Sequence, residues 1–546
     1  MFESVVYGDI VDIKKLHVFA SVAIGFILVI VLYWKPLLEA KKPVRSIPML
    51  PNSHWIFGHL FWLLGNEYLT KQQILLENAD DEGRCSCWIG TQPSISLTSG
   101  GDAQKLLRNH HTRFSAPILV HHFEMLAGKR NLLLLNGKEW KYYQSSLKSA
   151  LYHQRRADPT LLQRIAVQTT RTLVKNIQSK IRMSISDEPK RIHCSAIDGY
   201  MKMITQDVFG LTAFSHQFKC CTNLQLSRFA KAFESIEDDI LDRCLRNTLL
   251  PQNLIYSIPT KRNKMFLKNR GYLRMFLKDI IHDRLDKQHA TTTKCDILDT
   301  LIKTHATKQQ QLEQEDQNNE EDLVDIVLSI LLAGYDTVTI ALTYAVFLIS
   351  RHPHWEEMCL KEIRRRNINF DDEHQILDKI DYPLCRAVIL ETLRLYPVAT
   401  ALSRSLEKPL LLGGSVTIPE KCHVGISVWS LHRSEKHFPE PLEFRPDRWV
   451  RYCSTSQQWI ERTAQIECEE ESCSIPAGDM QSFLAFSSGS RSCPGRSFAV
   501  EEASLALAVM MDGLKFEIDL SYQPEMEWKV IVQKPKGGIP ASIFIR

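Results

Sequence analysis

The sequence predicts an α+β protein, mainly α, with an N-terminal single transmembrane helix. Three observations carry that expectation. Leu16 to Trp34 is a run of 19 residues without a charge. Helical periodicity dominates from Leu161 to Leu301 and again from Leu323 to Ile349. Short alternating segments near 85–99, 410–430 and the C-terminus read as strands. Composition supports a globular body, with 44% hydrophobic and 24% charged residues among 546. A net charge of +4 gives no electrostatic reason to expect a nucleic-acid partner. The mean hydropathy of -0.18 excludes a polytopic membrane protein but not one span. Fourteen cysteines without dense spacing point to reduced thiols facing the cytosol, not to a disulfide framework.

Residues 1–15 form a short tail and 16–34 the expected transmembrane anchor. As a helix, that run would cover about 29 Å, close to a hydrocarbon core. Lys14 and Lys15 precede it; Lys35, Lys41, Lys42 and Arg45 follow. The basic excess after the span places the C-terminal body on the cytosolic side. Residues 35–52 are a basic linker stiffened by Pro36, Pro43, Pro48 and Pro51. Residues 53–546 are the expected folded body.

Within the body, Cys85 and Cys87 sit in a predicted strand pair, where a lone C-x-C reads as structural. The pairs His110–His111 and His121–His122 lack metal-ligand spacing and read as surface or packed residues. Residues 309–322 and 452–480 are polar runs and read as solvated loops.

The decisive segment is Phe486-Ser-Ser-Gly489-Ser-Arg491-Ser-Cys493-Pro494-Gly495, followed by a helical pattern from Arg496 to Leu514. Cys493 therefore lies just before a helix N-terminus, where unpaired N–H groups and the helix dipole favour a thiolate. Gly489 and Gly495 allow close approach of a flat ligand, and Arg491 can meet an anionic group. The segment resembles the haem loop of the cytochrome P-450 family, Phe-x-x-Gly-x-Arg-x-Cys-x-Gly, at every fixed position. The resemblance implies the P-450 fold, a haem b (iron protoporphyrin IX) cofactor, and Cys493 as the iron's thiolate ligand. Phe486, Gly489, Arg491 and Gly495 would line it.

Other segments follow in the family's order. Ala333-Gly334-Tyr335-Asp336-Thr337 resembles its oxygen-binding helix. Thr337 would hydrogen-bond dioxygen there, Asp336 would help relay protons, and a local gap in the helix would admit dioxygen and water. Glu391-Thr-Leu-Arg394 resembles the Glu-x-x-Arg helix, with Arg448 expected to complete a triad. Glu362 and Arg365 have the same spacing, but only the first pair runs on into Leu395-Tyr396-Pro397. Arg404 and Trp140 resemble residues that reach haem propionates. The family usually has Trp-x-x-x-Arg, and this chain has Gln144, which cannot neutralise a carboxylate. Lys148, one turn on, is a candidate substitute. Residues 533–540 resemble the last hairpin.

The resemblance implies a monooxygenase acting on a lipophilic small molecule: a sterol, fatty acid, terpenoid or xenobiotic. Pocket residues are expected from 115–130, from the helix face before Ala333, from Val398 to Ala401 and from 532–540. Electrons would come from NADPH through a membrane NADPH-cytochrome P-450 reductase. Anchor and linker imply a single-pass protein of the endoplasmic reticulum membrane, with the plastid envelope as the alternative. Two other functions fit a haem-thiolate chain: an isomerase or dehydratase acting on a peroxide without a reductase, and a non-catalytic membrane haem-binding protein. The Asp336–Thr337 pair argues against both.

Overall fold

The computed structural model describes residues 46–51, 59, 68–89, 92–112, 117–183, 190–246, 252–288, 296–312, 319–366, 368–372, 380–453, 458–462, 478–529 and 532–546. The expected anchor at 16–34 lies outside the described residues, as does the linker up to residue 45.

The helices that position the site are α1 (Gly137–Ala157), α2 (Leu161–Arg182), α3 (Asp198–Phe214), α4 (Arg228–Arg246), α5 (Asn319–Arg351), α6 (Pro383–Leu395) and α7 (Arg496–Gly513). The central one is α5. Its first turn holds Glu320, Glu321 and Asp322, a favourable charge for the positive helix end. Beyond them the side chains are apolar nearly all round, the pattern of a helix surrounded by protein. Accordingly α5 packs on α3, α6 and α7, and α7 packs on α2. The Thr205 and Thr339 hydroxyls hydrogen-bond at 2.6 Å across the α3–α5 seam, so two buried polar groups satisfy each other. Helix α6 starts with Pro383, whose missing N–H costs nothing there.

The strands of four or more residues among the described residues are β1 (Arg84–Ile89), β2 (Gln92–Leu97), β3 (Arg191–Cys194), β4 (Ala401–Ser405), β5 (His423–Ser427), β6 (Val450–Cys453), β7 (Gln458–Glu461), β8 (Leu514–Glu517), β9 (Met526–Lys529), β10 (Val532–Pro535) and β11 (Ala541–Ile545); Leu410–Leu411 and Thr417–Ile418 form a further short pair. One sheet has the order β1-β2-β5-β4, with β2 and β5 parallel. Cys85 and Cys87 sit in β1 as buried core residues.

Several expected boundaries move. The helix Ile297–Leu312 runs into the polar segment, and Asn319–Asp322 is already the first turn of α5. Ion pairs explain that gain of order: Arg274 and Lys278 both bind Glu321, and Arg130 reaches Asp322. Val450–Cys453 and Gln458–Glu461 pair antiparallel as β6 and β7, so part of the expected loop at 452–480 is strand. The last hairpin is β9–β10; residues 536–540 connect it to β11, which pairs with β8 and β3. No gap opens in α5 at Ala333–Thr337, which is continuous helix.

Candidate functional site: a thiol loop and a polar turn in the core helix

The Cys493 loop is shaped by its backbone. Gly489 has φ +70°, and a Cβ there would lie 2.2 Å from the Leu107 carbonyl oxygen, so only glycine fits. A short 3-10 turn, Gly489–Arg491, follows. The Cys493 N–H then donates to the Phe486 carbonyl at 2.9 Å, closing the loop just ahead of α7. Among the described cysteines, Cys493 alone is exposed. Burial pushes the Cys85 and Cys220 thiols up to about 12, and those of Cys87 and Cys422 up to about 11. A Cβ at Gly495 would meet only the Cys493 Sγ, at 4.0 Å, so the space beside the sulfur is open.

Arg491 anchors this loop. Its guanidinium carbon lies 3.7 Å from the centre of the Trp140 ring. Nε donates to the His111 carbonyl at 3.0 Å, and Nη2 donates to the Leu135 carbonyl and the Asn136 side chain. Arg404, on β4, donates to the His110 carbonyl at 3.1 Å. The backbone of the His110–His111 pair thus receives both arginines. Gln144 also has a defined partner: its amide donates to the Ser490 carbonyl at 2.5 Å and ties α1 to the loop. Lys148 is exposed on the same helix.

Below the loop lies the expected triad. Arg394 grips Glu391 with two hydrogen bonds of 2.8 and 3.0 Å, and Arg448 Nε reaches the same carboxylate at 3.2 Å. Trp449 adds an indole N–H at 3.0 Å, which the spacing did not suggest. His432 transmits this scaffold upward. Its Nε2 accepts from the Leu484 N–H at 2.9 Å, and its Nδ1 meets the Arg394 carbonyl at 3.1 Å. Burial lowers the His432 pKa to about 3, so the ring stays neutral and can accept. Sequence reasoning had no route to His432, because its partners are backbone groups distant in the chain. Glu362 accepts from the Leu384 N–H at 3.1 Å.

On α5, Ala333 is exposed although the helix around it is core, and Gly334 and Thr337 are half-buried. Ala333 and Thr337, one turn apart, leave part of this core helix open. The Thr337 hydroxyl donates to the Ala333 carbonyl at 2.8 Å, so its lone pairs face outward as acceptors. Gly334 has a packing reason: a Cβ there would strike the Phe209 ring at 2.2 Å. Phe209 in turn meets Phe498 of α7 edge-on, with centroids 5.9 Å apart. One aromatic residue of α3 therefore touches both the polar turn and the helix that follows Cys493. Asp336 points the other way, is buried, and lies 3.8 Å from the Lys202 ammonium of α3.

The structure presents an exposed cysteine at the start of α7 and, on the α5 helix packed against α7, an acid–alcohol pair, the two features that the resemblance to the haem-thiolate class implies. The family model described as Cytochrome P450 matches residues 48–540. The chain belongs to the cytochrome P450 family, whose members are haem-iron monooxygenases. It is similar to Cytochrome P450 4Z1 of Homo sapiens, with 24% identity covering 91% of each chain. Cytochrome P450 4X1 of Mus musculus is 25% identical over 95% of each. Cytochrome P450 CYP72A616 of Paris polyphylla is 21% identical over 92% of this chain and 88% of its own.

Proposed function

We propose that Cys493 is the axial ligand of haem b and that the chain inserts one atom of dioxygen into a lipophilic small molecule. The observation that carries this reading is the accessible Cys493 thiol in a loop closed by Phe486 and Gly489, beside open space at Gly495. When bound, the haem supplies activation of dioxygen by a thiolate-ligated iron. The chain's own residues do the rest. Phe486 and the glycines shape the seat; Arg491, Arg404 and Trp140 form its polar rim. Thr337 accepts a hydrogen bond and orients a water beside the turn, and Asp336 moves protons towards it. The same pair favours this reading over a peroxide-rearranging enzyme or a non-catalytic haem carrier, neither of which needs proton delivery.

Electrons come from NADPH through a partner NADPH-cytochrome P-450 reductase. Lys138, Lys141 and Lys148 are exposed on α1, the helix that carries Trp140, and offer that partner a basic face. The charge-free segment at 16–34 supports a single-pass anchor in the endoplasmic reticulum membrane and a supply of lipid-partitioning substrates.

The test is spectroscopic. The reduced carbon-monoxide complex should show the red-shifted Soret band of a thiolate-bound haem, and Cys493→Ser should lose it. A variant that keeps the band would assign the ligand to another cysteine.

A further inference from the structure

Behind Asp336 lies a buried cluster of charges that the reaction described above does not use. Lys202 of α3 has its ammonium between two carboxylates, those of Glu234 on α4 and Asp336 on α5. Lys534 of β10 approaches Glu237 of α4 at 3.6 Å. Around them, Lys529 of β9 pairs with Asp238 of α4 at 2.7 Å, Asp198 lies one turn before Lys202, and the buried Tyr335 hydroxyl neighbours Asp336. At the centre, Lys202 and Lys534 face Asp336, Glu237 and Glu234, two ammonium groups against three carboxyl groups.

Surplus negative charge away from water is costly, and a bound proton removes it. Glu237 is the place for that proton. Its side chain is 6% exposed, its Oε2 makes no hydrogen bond, and its cation lies beyond hydrogen-bond reach. Glu234, one turn earlier on the same face of α4, is 33% exposed and opens the cluster to solvent.

We infer that Glu237 is a positioning residue for proton delivery, holding a proton in store beside Asp336 and passing it to that carboxylate after the Asp336–Thr337 turn has given one up. In that transfer the O–H bond on Glu237 breaks and one forms on Asp336. No electrons change hands, and Glu237 refills from solvent on the Glu234 side. Burial first, and the Asp336 charge second, push the Glu237 carboxyl up to about 8, so it carries the proton at neutral pH and releases it in mild alkali.

This inference rests on the reading of Asp336–Thr337 as the proton-handling turn. It is tested on the ferric holoenzyme by infrared difference spectroscopy between pH 7 and pH 9. The wild type should lose a protonated-carboxyl C=O band over that range, and Glu237→Gln should lack it. Lys534→Met, which removes the cation opposing protonation, should keep the band to higher pH. In turnover, product per NADPH should fall across the same range in the wild type, and be several-fold lower and flat with pH in Glu237→Gln. An unchanged band in Glu237→Gln, or coupling with the wild-type pH profile, overturns the inference. The infrared arm needs no turnover, so its failure counts against Glu237 alone. Failure of the underlying reading would show instead as a Thr337→Ala enzyme that couples like wild type.

Discussion

Two buried charge systems in this molecule are built to opposite specifications. Around Glu391, every carboxylate lone pair is matched: Arg394 in two places, Arg448, Trp449 and the Arg445 N–H, all between 2.8 and 3.2 Å. In the cluster behind Asp336 the two innermost ion pairs, Lys202–Asp336 and Lys534–Glu237, are longer, 3.8 and 3.6 Å, the close contacts fall to the outer Lys202–Glu234 and Lys529–Asp238 pairs, and carboxyl groups outnumber cations. The first arrangement has one protonation state and one geometry, which suits a scaffold. The second has spare charge and slack contacts, which suits groups that must change state. Burial alone therefore does not tell structure from chemistry; the match between donors and acceptors does.

Breaking the tight system should have the largest effect. Arg394→Leu removes two of the five hydrogen bonds and one of the two cations that hold buried Glu391, at a cost of about 3–5 kcal/mol. It also strands the His432, Pro441 and Glu443 carbonyls. The expected result is loss of haem incorporation and a lowered unfolding midpoint, read by absorbance and denaturant titration. A variant that still takes up haem normally would demote the network to a packing feature.

Acid should sharpen the contrast next. The folded pKa of His432 is lowered to about 3, below the ordinary value of 6.5. The folded state thus binds fewer protons than the unfolded one. Its contribution is complete above about pH 6.5 and shrinks as pH falls towards 3, by about 1.4 kcal/mol per pH unit. Burial lowers His423 to about 4, which acts in the same direction. Stability of the folded enzyme should fall steeply between pH 6 and pH 4, and His432→Gln should flatten that slope. An unaltered slope would place the acid sensitivity elsewhere.

The slack system should give the smallest structural effect. Thr337→Ala changes helix propensity by at most about 0.7 kcal/mol and removes only a back-bond within α5. Folding and haem uptake should survive. Product per NADPH should drop while hydrogen peroxide rises. Wild-type coupling in the variant would leave the hydroxyl a helix-bending group.

The comparison also marks what was legible in the sequence. The Glu391–Arg394–Arg448 system could be read because i, i+3 spacing places two partners on one helix face. The Cys493 loop could be read because its glycines and its position before a helix are local. His432 could not, since a histidine that bonds backbone groups leaves no pattern in side-chain spacing. Gln144 could be seen as a departure but not placed, because its partner is the Ser490 carbonyl. Gly334 was read as an opening in α5, whereas it makes room for the Phe209 ring. The same gap between local and distant information displaced the loop boundaries. Glu320 to Asp322 look solvated until Arg274 and Lys278 from another helix and Arg130 from a turn arrive to order them.

Helix α5 has one more consequence, for the time before the molecule is whole. Glu320–Arg351 is long and apolar enough to cross a bilayer, yet in the folded protein it is mostly buried. A chain growing from the ribosome offers this segment while α3 is already made and α7 is not. For that interval one flank of α5 can be covered by α3 while the flank that α7 will cover is apolar and bare. Length and composition alone would let this segment insert, so its own charges must help to keep it with the rest of the chain until α7 is made. The acidic turn at its start and Asp336 in its middle weigh against insertion while the second flank is being made.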